Sequence, residues 1–340
     1  MDMNVKEYKK VSNCIGWGLC IFLAMINVTS IIRRLLSPIL FEYMLYDAYY
    51  IVDAILFDII GYLASFIVPA IIIRAILRGK GILQPIKQET GRLSATSLML
   101  IPIGIWITKQ AATVNTVIME IFGTLDAYNE LVGDAMGEYY FGYEIVLMFI
   151  SMAIVPAVAE EFLFRATVLS NLKPYGKVIA IIGSSVLFGL MHQNPYQLIY
   201  TTVAGIVMGY AYLKTGSIWC PMLIHFFNNA YSVFQQVLLA NANADVAMII
   251  ILILELLLTV AAAICLVFYI RKMIREKRAK YKDGSFGVLL EESYAYSSKP
   301  IGKGKIKGFL SVGMIFFIVL SLALAGMLLV TLMTMGGGVA

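Results

Sequence analysis

Residues 144–171 read EIVLMFISMAIVPAVAEEFLFRATVLSN. As a helix, this run is long enough to cross the hydrocarbon core of a bilayer, which takes about 20 apolar residues. It nevertheless contains Glu160, Glu161 and Arg165. An ionisable side chain at the centre of a membrane helix costs about 2.5–3.5 kcal/mol on insertion scales. The run therefore predicts a membrane helix whose charged groups face other helices and not lipid.

Similar apolar runs recur along the whole chain. Of its 340 residues, 60% are hydrophobic and 14% are charged, against about 25% charged in a soluble domain. The sequence predicts an all-α polytopic membrane bundle with about eight to nine transmembrane helices. The candidate spans are roughly 13–32, 49–73, 94–115, 144–171, 178–194, 197–213, 217–239, 246–270 and 308–333.

Most lysines and arginines fall at alternate connections between these spans, although Arg33 and Arg34 fit this pattern poorly. They occur before the first span, after the second, fourth and sixth, and in 271–307, whereas 110–143 has none. Cytoplasmic loops carry the excess of basic residues. The pattern predicts a multi-pass protein of the plasma membrane with a cytoplasmic N-terminus, and the charged first ten residues carry no cleavable signal. The net charge of +5 then reflects membrane topology and not binding of nucleic acid.

Three regions follow from this layout. Residues 1–143 hold the N-terminal helices and an outer polar segment, 116–143, whose acids at 126, 130, 134 and 138 form one solvated stripe. Residues 144–239 form a central core. Residues 240–340 are predicted to hold the C-terminal helices and a basic cytoplasmic loop, 271–307, and the composition of 283–306 is typical of a flexible linker.

Polar side chains in three of the central spans are predicted to meet. Glu161 and Arg165 are four residues apart, which suits a helical ion pair, and Glu160 points about 100° away from Glu161 as a free base. The only histidines of the chain, His192 and His225, lie in later spans. Counted at 1.5 Å per residue, Glu160, both histidines and Asn229 fall in one layer about 10 Å thick.

Such a layer has the parts needed for hydrolysis. Glu160 in a poorly solvated site suits a general base, and His192 can share its proton and orient a water. His225 and Asn229, one helical turn apart, offer donors to a developing oxyanion. Glu160, His192 and His225 also form an alternative zinc-ligand set with an open position. The chain has no HExxH helix, so zinc and a metal-free mechanism stay equally open.

Three motifs in this order resemble one known family. They are Glu160-Glu161-x3-Arg165, Phe188-x3-His192 and His225-x3-Asn229. They resemble the CAAX prenyl protease and bacteriocin-processing (CPBP, or Abi) family of intramembrane endopeptidases, over residues 144–235, about a quarter of the chain. The resemblance implies that Glu160 activates water with His192, that Glu161 and Arg165 hold the geometry, and that His225 and Asn229 stabilise the oxyanion. It implies a peptide or lipidated protein as substrate, such as a CAAX protein or a bacteriocin leader.

Two other classes of function compete with this one. Asp53, Asp58 and Glu255 also lie in apolar spans, where they suit an ion path in a transporter, although no inverted repeat is visible. A non-catalytic immunity or scaffold protein of the membrane is the third class. Membrane lipids are expected partners in all three cases, and the sequence leaves the oligomeric state open.

Overall fold

The computed structural model describes residues 5–85, 93–123, 125, 142–282 and 303–336, and within these ranges it contains helices and no strand. The helices are α1 Val5–Tyr43, α2 Tyr46–Gly79, α3 Ala95–Ile121, α4 Tyr143–Tyr175, α5 Lys177–Met191, α6 Pro195–Thr215, α7 Trp219–Asn241, α8 Ala244–Lys282, α9 Lys303–Phe309 and α10 Val312–Gly336. The predicted acidic stripe at 126–138 and residues 283–302 of the predicted linker lie outside the described residues.

The predicted class, an all-α polytopic membrane bundle, is confirmed. Each of the nine candidate spans coincides with one helix. Helices α1 to α4, α8 and α10 contain stretches long and apolar enough to cross a membrane, and α5 is a shorter apolar helix. Helices α6 and α7 pack between these inside the bundle.

Helix α4 lies at the centre of the bundle. It packs on α2, α5 and α7, while α1 packs on α2, α9 and α10, and α3 packs on α6, α7 and α8. The small side chains of Ala157 and Ala159 are buried, as are Leu163 and Phe164. The part of this helix that carries the acids of the first motif is therefore enclosed by protein, whereas Val146 and Met152 nearer its N-terminal end are exposed.

Helices α2 and α4 are not regular α-helices near the centre of the bundle. The backbone is π-helical over Ala54–Gly61 in α2, and over Phe149–Ile154 and Phe162–Leu169 in α4. The first of these stretches ends directly before Tyr62, and the other two flank Glu160 and Glu161. Such π turns are rare and occur frequently at functional sites.

The C-terminal region differs from the prediction at one place. Residues 271–282, predicted as the start of a loop, continue α8 to Lys282, and helix α9 occupies residues that were assigned to the linker. Lys, Arg, Glu and Ala in 271–282 are all good helix formers. Lys272 and Glu276 also form an i,i+4 ion pair at 3.9 Å, which adds a little stability.

Candidate active site

The predicted ion pair of the first motif is confirmed. Arg165 donates to Glu161 Oε1 at 2.8 Å, and the two side chains are 2% and 0% exposed. Arg165 also donates to the carbonyl of Gly205 at 3.3 Å, and its guanidinium lies 4.4 Å from the centre of the Phe188 ring. The charge of Glu161 is thereby neutralised inside the protein, away from lipid.

His225 lies between the two adjacent carboxylates. Its Nδ1 is 3.0 Å from Glu161 Oε1, and its Nε2 is 3.9 Å from Glu160 Oε2. A carboxylate accepts hydrogen bonds and does not donate them, so Nδ1 carries a proton. Glu161 therefore orients the imidazole so that Nε2 faces Glu160.

Only one of the two carboxylate oxygens of Glu160 has a hydrogen-bond partner among the described residues. Its Oε1 accepts a hydrogen bond from the hydroxyl of Tyr62 in α2, and its Oε2 is buried with no hydrogen-bond partner among the described residues. A buried carboxylate oxygen without a donor is costly, and functional sites are among the places where such groups occur. This oxygen is thus available to a molecule that enters the site.

His192 joins the site from the end of α5. Its Nδ1 lies 2.9 Å from the carbonyl oxygen of Phe188, one turn earlier. Because a carbonyl only accepts, Nδ1 carries the proton and Nε2 of the neutral ring has a free lone pair. The Phe188 ring lies between the two histidines, with ring centres 5.2 Å from His192 and 6.0 Å from His225.

Asn229 lies in the same part of α7, and a proline determines its contact. Pro156 in α4 has no N–H, so the carbonyl of Met152 loses its normal helical donor. The Asn229 side chain donates to this carbonyl at 3.0 Å. Because a primary amide has two N–H groups, one of them is left for another acceptor.

These groups share one cavity of about 1350 Å³, which is lined by Glu160, His192, His225 and Asn229 together. Glu161 and Arg165 do not line it, since they lie behind His225. The predicted meeting of three separate helices around one cavity is therefore confirmed for these four residues. The catalytic roles assigned to them stay predictions.

Sequence reasoning missed Tyr62. It lies 98 residues before Glu160, and a tyrosine in a membrane span is not unusual. Its position one turn after Asp58 was the available signal, since the two share a helix face that also lines the cavity.

Asp53 and Asp58, predicted as components of an ion path, are both bound by Arg33. Its guanidinium nitrogens lie 2.5 Å from one carboxylate oxygen of each acid. Arg33 of α1 and both acids line the cavity. They form a cluster of one cation and two acids in its wall, and this contact explains an arginine in an apolar span.

The alternative zinc set requires the side chains of Glu160, His192 and His225 to surround one point. Within the described ranges, no three His, Cys, Asp or Glu side chains are grouped to hold a metal ion. Within the predicted set, Glu160 Oε2 and His225 Nε2 lie 3.9 Å apart. The zinc set of Glu160, His192 and His225 stays a prediction.

Known proteins resemble the segment that builds this site. Residues 142–231 match the family model of the type II CAAX prenyl endopeptidase Rce1-like proteins. This segment, about a quarter of the chain, is thus similar to the CAAX protease (CPBP) family. A protein of Bacillus subtilis (strain 168), described as a candidate membrane peptidase and named YdiL, is 32% identical over 96 residues. That similarity covers 27% of this chain and 38% of the relative, so the chain spans well under two thirds of that protein. No solved structure matches.

Proposed function

We propose that the chain is an intramembrane endopeptidase that hydrolyses a peptide bond of a membrane-associated or lipidated polypeptide. One observation carries the proposal. Glu160 Oε2 has no hydrogen-bond partner and faces His225 Nε2 across 3.9 Å, inside a cavity among membrane helices. The family match of residues 142–231 supports the same reaction class.

The gap between Glu160 and His225 suits a bridging water. A water oxygen placed about 2.8 Å from both Glu160 Oε2 and His225 Nε2 would be at an ordinary hydrogen-bond length from each. The angle at this oxygen between the two atoms would be about 90°. Glu160 takes a proton from this water as its oxygen bonds to the substrate carbonyl carbon. A second acid next to Glu160, Glu161, is already neutralised by Arg165, which leaves Glu160 as the base.

The carbonyl oxygen then becomes an oxyanion that needs donors. His225 with protons on both nitrogens donates from Nε2 while Glu161 holds Nδ1, and the spare N–H of Asn229 lies one turn further along the same helix. The carbon–nitrogen bond breaks, and the proton held by Glu160 passes to the leaving amine. The products are one new carboxylate and one new amine, and His192 assists Glu160 in holding the proton.

Glu161 and Arg165 are positioning residues in this scheme. Neither lines the cavity, and both act through His225. Their complete burial keeps the imidazole in one orientation, because a broken buried ion pair would leave an uncompensated charge.

The surroundings of the site favour substrates that reside in or on a membrane. Apolar side chains such as Leu147, Met148, Ile224 and Leu239 line much of the cavity. We place the protein in a plasma membrane, where lipidated proteins and peptide precursors are both found. Of the described residues, those around the site include no basic cluster suited to nucleic acid.

The test is hydrolysis in water enriched in ¹⁸O. Purified protein is incubated with a library of lipidated and unmodified peptides, and the products are analysed by mass spectrometry. We expect cleaved products in which each new carboxylate contains one ¹⁸O atom from the solvent. The absence of cleavage by a folded protein would favour the scaffold class, and cation flux into liposomes that depends on Asp53 or Glu255 would favour a transporter. Cleavage lost on chelation and restored by zinc would assign a metal to the site.

A further inference from the structure

Among the described residues, the lining of the cavity extends to one end of the helix bundle and not to the other. On α2 and α4, which run in the same direction, its lining residues begin near the N-terminal ends at Tyr49 and Leu147 and stop at Tyr62 and Glu160. On the oppositely directed α7, the lining continues to Ala240, next to the last residue of that helix. The cavity is about 20 Å deep when α4 is counted at 1.5 Å per residue. Glu160 and Tyr62 therefore form its floor, and its mouth lies at the end shared by 43–46, 191–195 and 241–244.

The basic residues of the described chain gather at the opposite end. They include Lys6, Lys9, Lys10, Arg74, Arg78, Lys80, Lys173, Lys177, Lys214, Arg271, Lys272, Arg275 and Lys307. Each belongs to the helix ends farthest from the mouth. Such an asymmetry places the basic end in the cytoplasm.

The end of the bundle that holds the mouth has far fewer basic residues than the opposite end. Within the described ranges they are Arg33, Arg34 and Lys109. Arg33 is bound by two carboxylates at 2.5 Å, so it adds no net positive charge. Acids prevail nearby, with Glu42 and Asp47 on either side of the first connection and Asp245 at the start of α8. The charge distribution is thus strongly one-sided.

We infer that the active-site cavity opens to the extracytoplasmic side, so that its substrates are the extracytoplasmic parts of membrane-bound or exported polypeptides. The identity of the substrate rests on the proposed function, whereas the direction of the opening rests on the fold and the charges alone. Peptide bonds exposed only in the cytoplasm would face the closed end of the bundle. The substrate class is therefore a polypeptide already delivered across or into the membrane.

The direction can be tested with single cysteines. Ser232 lines the cavity on α7 and is exposed, so Ser232→Cys places a thiol of similar size at a reachable position. Gly79 is the matched control at the basic end, because it is exposed and an added Cβ meets nothing within 4 Å. Both are made in a chain whose native cysteines are alanine, and are treated with a membrane-impermeant maleimide.

Right-side-out and inside-out vesicles give opposite expectations. Ser232→Cys is expected to be labelled in right-side-out vesicles and to lose labelling in inside-out ones, with the reverse for Gly79→Cys. Labelling of Ser232→Cys from the cytoplasmic side, or from neither side before detergent is added, would overturn the inference.

A second arm separates the direction from the chemistry. Adding Glu160→Gln to the Ser232→Cys chain is expected to leave labelling unchanged, since access does not depend on hydrolysis. A peptide substrate is then either added outside or sealed inside right-side-out vesicles that contain the active protein. Cleavage confined to the outside supports the substrate class, and cleavage confined to the inside contradicts it.

Discussion

Replacing Tyr62 by phenylalanine isolates one contact of the general base. The change removes only the hydroxyl that donates to Glu160 Oε1 and keeps the ring that packs against Phe66, 4.8 Å between centres. A hydrogen bond to a charged group contributes about 1.5–3 kcal/mol. If this bond positions Glu160 in the transition state, its loss lowers kcat by about 10–150-fold, since about 1.4 kcal/mol is a factor of ten.

The assay is steady-state cleavage of one peptide, with kcat and KM measured separately. Tyr62→Phe is expected to lower kcat with less effect on KM, because the hydroxyl contacts the base and not the substrate. Tyr212→Phe is the control, as this buried hydroxyl bonds Ser170 at 3.1 Å and does not line the cavity. A wild-type kcat in Tyr62→Phe, or an equal loss in both variants, would refute the positioning of Glu160 by this tyrosine.

Three further changes test the parts around the base. Arg165→Met removes the cation that pairs with the buried Glu161 carboxylate and leaves His225 as its bonded partner. The change should cost about 3–5 kcal/mol of stability, measured by unfolding in detergent. A loss below about 1 kcal/mol, as for an exposed pair, would argue against a buried pair. Gly189→Ala should lower the melting temperature, because the new Cβ would lie 2.8 Å from a backbone carbonyl of α6, whereas Gly326→Ala, which meets nothing within 4 Å, should not. His192→Ala should keep the melting temperature and lower kcat by about 10²–10⁴-fold, the usual contribution of proton-transfer groups; an unchanged kcat would remove His192 from the mechanism.

Hydrophobic patterning was sufficient to predict the long helices, because a membrane span takes about 20 apolar residues, but it missed the short helix α9. The ends were harder to predict. The charged residues 271–282 are polar enough to suggest a loop, yet helix α8 continues through them. Residues of high helix propensity continue a helix beyond the apolar core, where their charged side chains reach water. A change from apolar to charged residues therefore marks the membrane boundary and not the end of the helix.

The site was predictable where its contacts are local. Glu161 and Arg165 are paired by helical geometry alone, and equal depth brought the histidines to the same layer. The contact of Tyr62 with Glu160 depends on how α2 packs against α4, which no local pattern encodes. The bond from Asn229 to Met152 depends on Pro156 in another helix, a relation that is visible only once the two helices are seen side by side.

The role of Glu160 as the general base is tested by the rate of peptide cleavage by Glu160→Gln. Glu255→Gln is its matched control, since it makes the same change in an acid that lies on α8 and does not line the cavity. We expect Glu160→Gln to lose cleavage while it stays folded, and Glu255→Gln to cleave at the wild-type rate. Equal rates in the two variants would contradict the assignment of Glu160 as the base.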